Sequence, residues 1–193
     1  MRSEKRSNKI INVVRNRQHS LHVVLENIHD PHNVSAIFRS CDAAGIPDIS
    51  LIYNYEKFPK IGKKSSASAY KWIEKVKYKS VENCYSELKK NGFAIVASSI
   101  SDKSISLFDL DLTSKTAFVF GNEHRGVSDE GAALADFKFR IPMFGMVQSL
   151  NVSVAAAISV YEAVRQRLVS QMYPSKDLDE NNLQDIIDIW LRK

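Results

Sequence analysis

Seven glycines are few for 193 residues, and none stands in a phosphate-binding pattern. There is no GxxxxGK(S/T) and no GxGxxG after a strand-like run, which excludes a P-loop NTPase and a conventional dinucleotide-binding enzyme. Cysteine is equally scarce. Cys41 and Cys84 have no CxxC partner, so neither a zinc site nor a disulfide framework is expected. Cys41 falls on an apolar helical face and reads as a core residue. No apolar run approaches the length of a membrane span, and the opening MRSEKRSNKI lacks the apolar centre of a signal peptide. The expectation is a cytoplasmic protein without structural metal or membrane contact. Internal repeats and low-complexity tracts are also missing. With 44% hydrophobic and 25% charged residues, the chain reads as one globular domain.

Charge is present but unevenly placed. Residues 1–17 hold Arg2, Lys5, Arg6, Lys9, Arg15 and Arg17 against Glu4. Residues 57–79 hold Lys57, Lys60, Lys63, Lys64, Lys71, Lys75, Lys77 and Lys79 against Glu74. The formal net charge is +5, so the remainder of the chain is net negative. Concentrated positive charge attracts polyanions. Tyr53, Tyr55, Phe58, Tyr70 and Trp72 flank the second cluster, where aromatic rings can stack on unpaired bases. Either cluster alone is equally well a solvated loop; together they make RNA or another nucleic acid the leading partner.

Patterning alternates strand and helix. Leu21–Glu26 reads as a buried strand, followed by the turn-forming Asp30-Pro31 and a helix over residues 34–44 stopped by Gly45. Further strands are expected at 49–53, 72–78 (an edge), 93–98, 117–121 and 137–141, with a helix at 81–90 and an irregular loop at 62–69. The sum is an α/β fold, mostly a parallel sheet flanked by helices.

Three segments carry chemistry. In Asn33–Asp42, the residues Val34, Ile37, Phe38, Cys41 and Ala44 form a buried stripe. Ser35, Arg39 and Asp42 fall on the other face, with Asn33 as a plausible cap and Arg39–Asp42 as a surface pair. In Phe120-Gly121-Asn122-Glu123-His124-Arg125-Gly126-Val127-Ser128, the glycine at a strand's carboxyl end allows a ligand to approach the backbone. Glu123 suits a bound polar group, although an isolated Glu is as readily a solvated loop acid. Ser128 reads as the cap of the next helix. The third segment runs Ile141-Pro142-Met143-Phe144-Gly145 to Ala157. Its helix is small and apolar on nearly every side, so its first turns are expected to be buried. Ser149, Asn151 and Ser153 mark its start; capping explains one of them, and a ligand site is the better account of three.

Taken together, and in this order, the stretches 26–45, 120–128 and 141–167 resemble the three signature motifs of the SpoU-type RNA 2′-O-ribose methyltransferases. The resemblance spans about residues 18–173 and is nearest the TrmH group, which methylates guanosine 18 of the tRNA D-loop. It implies a sheet whose C-terminal part forms a trefoil knot, a homodimer, and S-adenosylmethionine as methyl donor. Carried over position by position, it implies that Ser98, Gly121, Ile141 and Leu150 cradle the cofactor. Asn33, Arg39, Glu123, Ser149 and Asn151 match the polar catalytic positions. The basic segment 1–20 and the helical tail 174–193, with Leu183, Ile186, Ile187, Ile189, Trp190 and Leu191, resemble flanking elements that bind tRNA. Rival substrates are a guanosine of 23S rRNA and the tRNA wobble ribose. The reading from another class is an RNA-binding or ribosome-assembly protein that keeps the fold without activity.

Overall fold

The computed structural model describes residues 4–59, 69–101 and 103–192. In chain order the elements are α1 (Glu4–Arg15), β1 (Leu21–Glu26), α2 (Pro31–Ala43), β2 (Asp48–Ile52), β3 (Glu74–Tyr78), α3 (Val81–Lys90), β4 (Ala94–Ser98), β5 (Ile105–Ser106), β6 (Thr116–Phe120), α4 (Asp129–Leu134), β7 (Phe137–Arg140), α5 (Val152–Val169) and α6 (Glu180–Arg192). Among the described residues, seven strands form one sheet in the order β3-β2-β1-β6-β4-β7-β5. Every pairing is parallel.

Parallel strands flanked by helices bury both faces, which is why LHVVLE is apolar at four of its positions and buried at all six. Leu21, Val23 and Leu25 pack with α2 and α5 through Ile37, Phe38, Ala156 and Val160. Val24 points the other way, into a second core with Val81, Cys84, Tyr85, Ile95 and Val119. The expected edge strand is β3, whose residues are exposed or half-buried as an edge requires. Both cysteines are buried and free.

His22 and Glu26 are the two polar residues buried on β1. His22 Nε2 lies 2.8 Å from Ser50 Oγ and its ring stands edge-on to Phe93. Burial pushes its pKa down to about 4. The folded state thus keeps His22 neutral where the unfolded chain takes up a proton, so stability is full above about pH 6.5 and falls as pH drops toward 4. Burial raises Asp48 to about 6, which acts in the opposite sense by favouring the folded state at low pH. His22→Gln removes the first effect alone. Urea unfolding at pH 7 and pH 4.5 should show the wild type losing about 2–3 kcal/mol more than the variant across that window. Equal losses would remove His22 as the cause.

Several local expectations need correction. The second helix begins at Pro31, not at 34, because Asp30 is its cap: the Asp30 side chain accepts from His32 N, and Pro31 fills the first helical position. Asn33 is therefore inside the first turn, buried, and not a cap. Ser35 is buried rather than on a polar face. Asp42 pairs with the buried Arg17 at 2.6 Å instead of with Arg39, which also withdraws Arg17 from the basic surface. Segment 1–17 is more than a charged arm. Its helix α1 sets Ile10 and Val14 against Ile187 and Trp190 of α6, with the Trp72 ring tilted against Trp190 at 4.8 Å between centroids. The helical tail therefore folds back on its own chain. The loop expected at 62–69, with Lys63 and Lys64, lies outside the described residues except for Ala69, and so does Lys60. No described helix is long and apolar enough to cross a membrane.

Candidate active site

Three adjacent strands end side by side: β6, β4 and β7 place Ser98, Gly121 and Ile141 at their carboxyl ends. Ligands in open α/β sheets bind along this edge. The chain leaves β7 through residues 141–151 and enters α5, whose cap is Asn151; its Oδ1 accepts from Ser153 N and Ser153 Oγ. Capping thus accounts for Asn151 and Ser153 but leaves Ser149, which is exposed, without that role. The first turns of α5 are not buried within this chain, contrary to expectation: Asn151 and Val154 are exposed. Apolar character on every side marks a face that this chain alone leaves uncovered.

The three motifs meet through side chains. Glu123 Oε2 accepts from His29 N at 3.0 Å, and its Oε1 accepts from Asp30 N at 3.1 Å and from Asn33 Nδ2 at 3.0 Å. Asn151 Nδ2 in turn donates to Asn33 Oδ1 at 3.0 Å. Partial burial alone would raise the Glu123 pKa, but the donors from Asn33, His29 and Asp30 outweigh it and hold the carboxyl below the usual range. Glu123 is therefore an ionised anchor that fixes both the turn before α2 and the amide of Asn33. Asn33, with its Nδ2 committed to Glu123, must turn its Oδ1 toward Asn151. That orientation, in turn, sets which way the Asn151 carbonyl points.

Gly121 is required by close approach, though the neighbour is not a ligand. A Cβ there would sit 2.1 Å from the carbonyl of Gly126 and from Val127 N, all backbone of the loop that follows. Leu150 is half-buried immediately before the α5 cap. Arg39 is exposed on α2 and lies away from the Glu123–Asn33–Asn151 chain. It lines an open groove of about 430 Å³ with Ala36, Ser40, Ala43 and Tyr161 of α5. The structure thus joins Asn33, Glu123 and Asn151, sets Ser98, Gly121, Ile141 and Leu150 along one edge, and leaves Arg39 and Ser149 facing outward. Two further residues, Asn27 and Asn122, escape sequence reading. Asn122 Nδ2 donates to the Asn27 carbonyl at 2.8 Å and ties the first two motifs below Glu123. The available signal is an Asn within two residues of the end of each of two buried strands.

A profile of the SpoU rRNA methylase family matches residues 20–161. The chain belongs to this family. Among its SpoU relatives, a tRNA (guanosine(18)-2′-O)-methyltransferase of Thermus thermophilus is 42% identical over 192 residues, covering 100% of this chain and 98% of the relative. The crystal structure of the A. aeolicus TrmH/SpoU tRNA modifying enzyme superposes with a TM-score of 0.91 at 40% identity, over 98% of this chain and 96% of that one. The SpoU methyltransferase AviRb from Streptomyces viridochromogenes, solved with the cofactor AdoMet, gives 0.72 at 28% identity, over 79% of this chain and 62% of its own.

The site of this SpoU protein fits that class of cofactor. Residues 142–150 make no hydrogen bond with any described residue, so the loop's backbone donors and acceptors are open to a ligand. The flanking Ile141, Met143 and Leu150 are half-buried apolar groups suited to an adenine ring. Among the described residues no cluster of His, Cys, Asp or Glu suits a metal ion.

Proposed function

We propose that this protein transfers a methyl group from S-adenosylmethionine to the ribose 2′-oxygen of guanosine 18 in the tRNA D-loop. The observation that carries the reading is the Glu123–Asn33–Asn151 chain. It joins all three motifs of a SpoU protein in a sequence similar over its whole length to a guanosine-18 enzyme. Ser98, Gly121, Ile141 and Leu150 would hold the cofactor, together with the open backbone of residues 142–150.

The cofactor supplies a methyl group on a sulfonium, which is reactive without further activation. The protein's task is alignment and proton management. Asn33, clamped by Glu123, orients Asn151, and Asn151 with Ser149 positions the reacting ribose; such alignment is worth several kcal/mol of barrier. Arg39 cannot act as a base, because an arginine does not give up its proton in proteins. It pins the adjacent phosphate and stabilises the developing alkoxide, and the proton leaves to that phosphate or to water. Arg39→Lys keeps the charge but loses the fork geometry. We expect its kcat at neutral pH to fall about 10²-fold; near-full activity would make the guanidinium dispensable.

The reading extends to the assembly. Phe144, Met146, Val147, Val154, Tyr161 and Leu168 leave exposed apolar side chains along the 144–147 loop and α5. A second copy would cover them, giving a homodimer with Arg39 near the contact through Tyr161. The C-terminal part is read as a trefoil knot, since β7 sits inside the sheet and its outgoing loop returns to α5, packed on α2. The whole chain, 1–193, is read as one methyltransferase unit working in the cytoplasm, where tRNA is.

The test is transfer of labelled methyl from S-adenosylmethionine to unmodified tRNA and, separately, rRNA, with the modified ribose mapped. Label at guanosine 18 is the expected result. Label confined to rRNA or to the wobble ribose moves the substrate, and absence of both transfer and cofactor binding overturns the enzyme reading.

A further inference from the structure

Beside the Glu123 anchor, two loops are held by buried side chains to display two exposed ones. Asn27 is fully buried and adopts φ +52°, a left-handed backbone that non-glycine residues seldom take. Its Oδ1 accepts from three successive amides, Asn54 N at 3.2 Å, Tyr55 N at 3.4 Å and Glu56 N at 3.2 Å, while its Nδ2 donates to Asn54 Oδ1 at 2.7 Å. One side chain therefore sets the path of residues 54–56. Asn122, also buried, does the same for the second loop: its Oδ1 accepts from His124 N at 3.0 Å and Arg125 N at 3.3 Å. Its bond to the Asn27 carbonyl locks the two loops together.

What this scaffold presents is the Tyr55 ring, 47% exposed, with the Arg125 guanidinium 5.2 Å from its centroid. Neither group serves the core. Of the five aromatics near the lysine-rich segment, the others are engaged: Tyr53 with Phe58, Tyr70 with Phe38, and Trp72 with Trp190. Among the described residues no carboxylate pairs with Arg125. An exposed aromatic ring with a guanidinium held over it by a cation–π contact and paired with no described carboxylate, both on fixed backbone, is the chemistry that receives an unpaired base. A guanine offers O6 and N7 to such a fork. The surface also borders the reaction, since Glu123 lies between Asn122 and Arg125 on the same loop and binds the turn at His29 and Asp30.

We propose that Tyr55 and Arg125 form the receiving surface for the base of the methylated nucleotide, Tyr55 stacking on its face and Arg125 donating to O6 and N7 of a guanine. This assignment rests on the tRNA-guanosine reading above and makes the two residues determinants of its base specificity.

The test uses the full-length protein with unmodified tRNA transcripts carrying either guanosine or 2-aminopurine riboside, which lacks O6, at the target position. Tyr55→Ala should lower kcat/KM for the guanosine substrate roughly 5- to 150-fold, the loss of one base–aromatic stack. Tyr55→Phe, which keeps the ring, should stay within about twofold, since the expected contact uses the face and not the hydroxyl. Arg125→Ala should lower kcat/KM on guanosine by a similar factor but cause a smaller loss on 2-aminopurine, which keeps N7 but lacks the O6 half of the contact. Cofactor affinity and thermal midpoint should not move in any of the three. Full activity of both alanine variants overturns the surface. So do losses matched by weaker cofactor binding or a lower midpoint, which mark a structural role. If the wild-type protein methylates no D-loop guanosine, the functional reading fails and the surface with it; wild-type transfer with indifferent variants removes the surface alone.

Discussion

Gly121→Ala should give a protein with almost no methyl transfer and a visibly lower melting temperature. The added Cβ would stand 2.1 Å from the Gly126 carbonyl and Val127 N. These are backbone atoms, so no side-chain rotation relieves the clash. The loop from Asn122 to Val127 must move, and with it Glu123, whose three acceptor contacts hold the turn before α2 and the Asn33 amide. A shift of about 1 Å in such a constellation costs about 10²-fold in rate. Overpacking against side chains costs about 1–3 kcal/mol, and against backbone more. The matched control for stability is Gly145→Ala, where a Cβ meets nothing within 4 Å. Thermal unfolding checks both variants, and single-turnover transfer checks Gly121→Ala. A fully active Gly121→Ala protein would mean that the second motif tolerates a displaced Glu123.

Arg167→Met should come close to abolishing folding. Arg167 is completely buried, and its guanidinium donates to Leu112 O, Gln18 Oε1, Ser20 Oγ, Ser20 O and Ser114 O at 2.7–3.2 Å. These acceptors belong to the entry into β1 and the turn before β6, so one side chain at the end of α5 holds both. Asp177 reinforces this cluster by accepting from Ser20 N and Ser20 Oγ. Methionine fills similar volume but strands five acceptors; each stranded buried group costs about 1–3 kcal/mol, with partial relief from relaxation. A net loss of about 4–6 kcal/mol is expected, comparable to the whole stability of an ordinary domain. Arg167→Lys should be intermediate, because one ammonium cannot span five acceptors. Urea midpoints give the answer; a loss under about 1 kcal/mol for the methionine variant would show that water can replace the guanidinium.

Much of the sheet is legible in the sequence because buried parallel strands are apolar at consecutive positions. LHVVLE and TAFVF stand out for that reason. The terminal helix α6 is equally legible through the spacing of Leu183, Ile187 and Trp190. The helix α1 is not, since its charges outnumber the stripe of Ile10 and Val14 and its partner lies at the far end of the chain. Strand β5 has two residues and leaves no periodicity to detect. At the site, residue type and position single out Asn33, Glu123 and Asn151. Which of them touch is a three-dimensional fact that spacings of 90 and 118 residues conceal. The Arg39–Asp42 pairing fails for a related reason. Helical spacing offers Asp42 a neighbour, but Arg17, buried with Ile46 O as a second partner, is the one that must have a carboxylate.

The pairing of α1 with α6 also orders events during synthesis. The first helix leaves the ribosome long before the last, and at ordinary elongation rates the interval is on the order of ten seconds or more. Throughout it Ile10 and Val14 have no docking face, while Lys5, Arg6 and Lys9 keep the nascent segment dissolved. The clasp over Trp72 closes only when translation has delivered Ile187 and Trp190. Chains truncated before α6 should therefore carry an undocked, sticky amphipathic helix at their start, and are natural clients for chaperones or proteases.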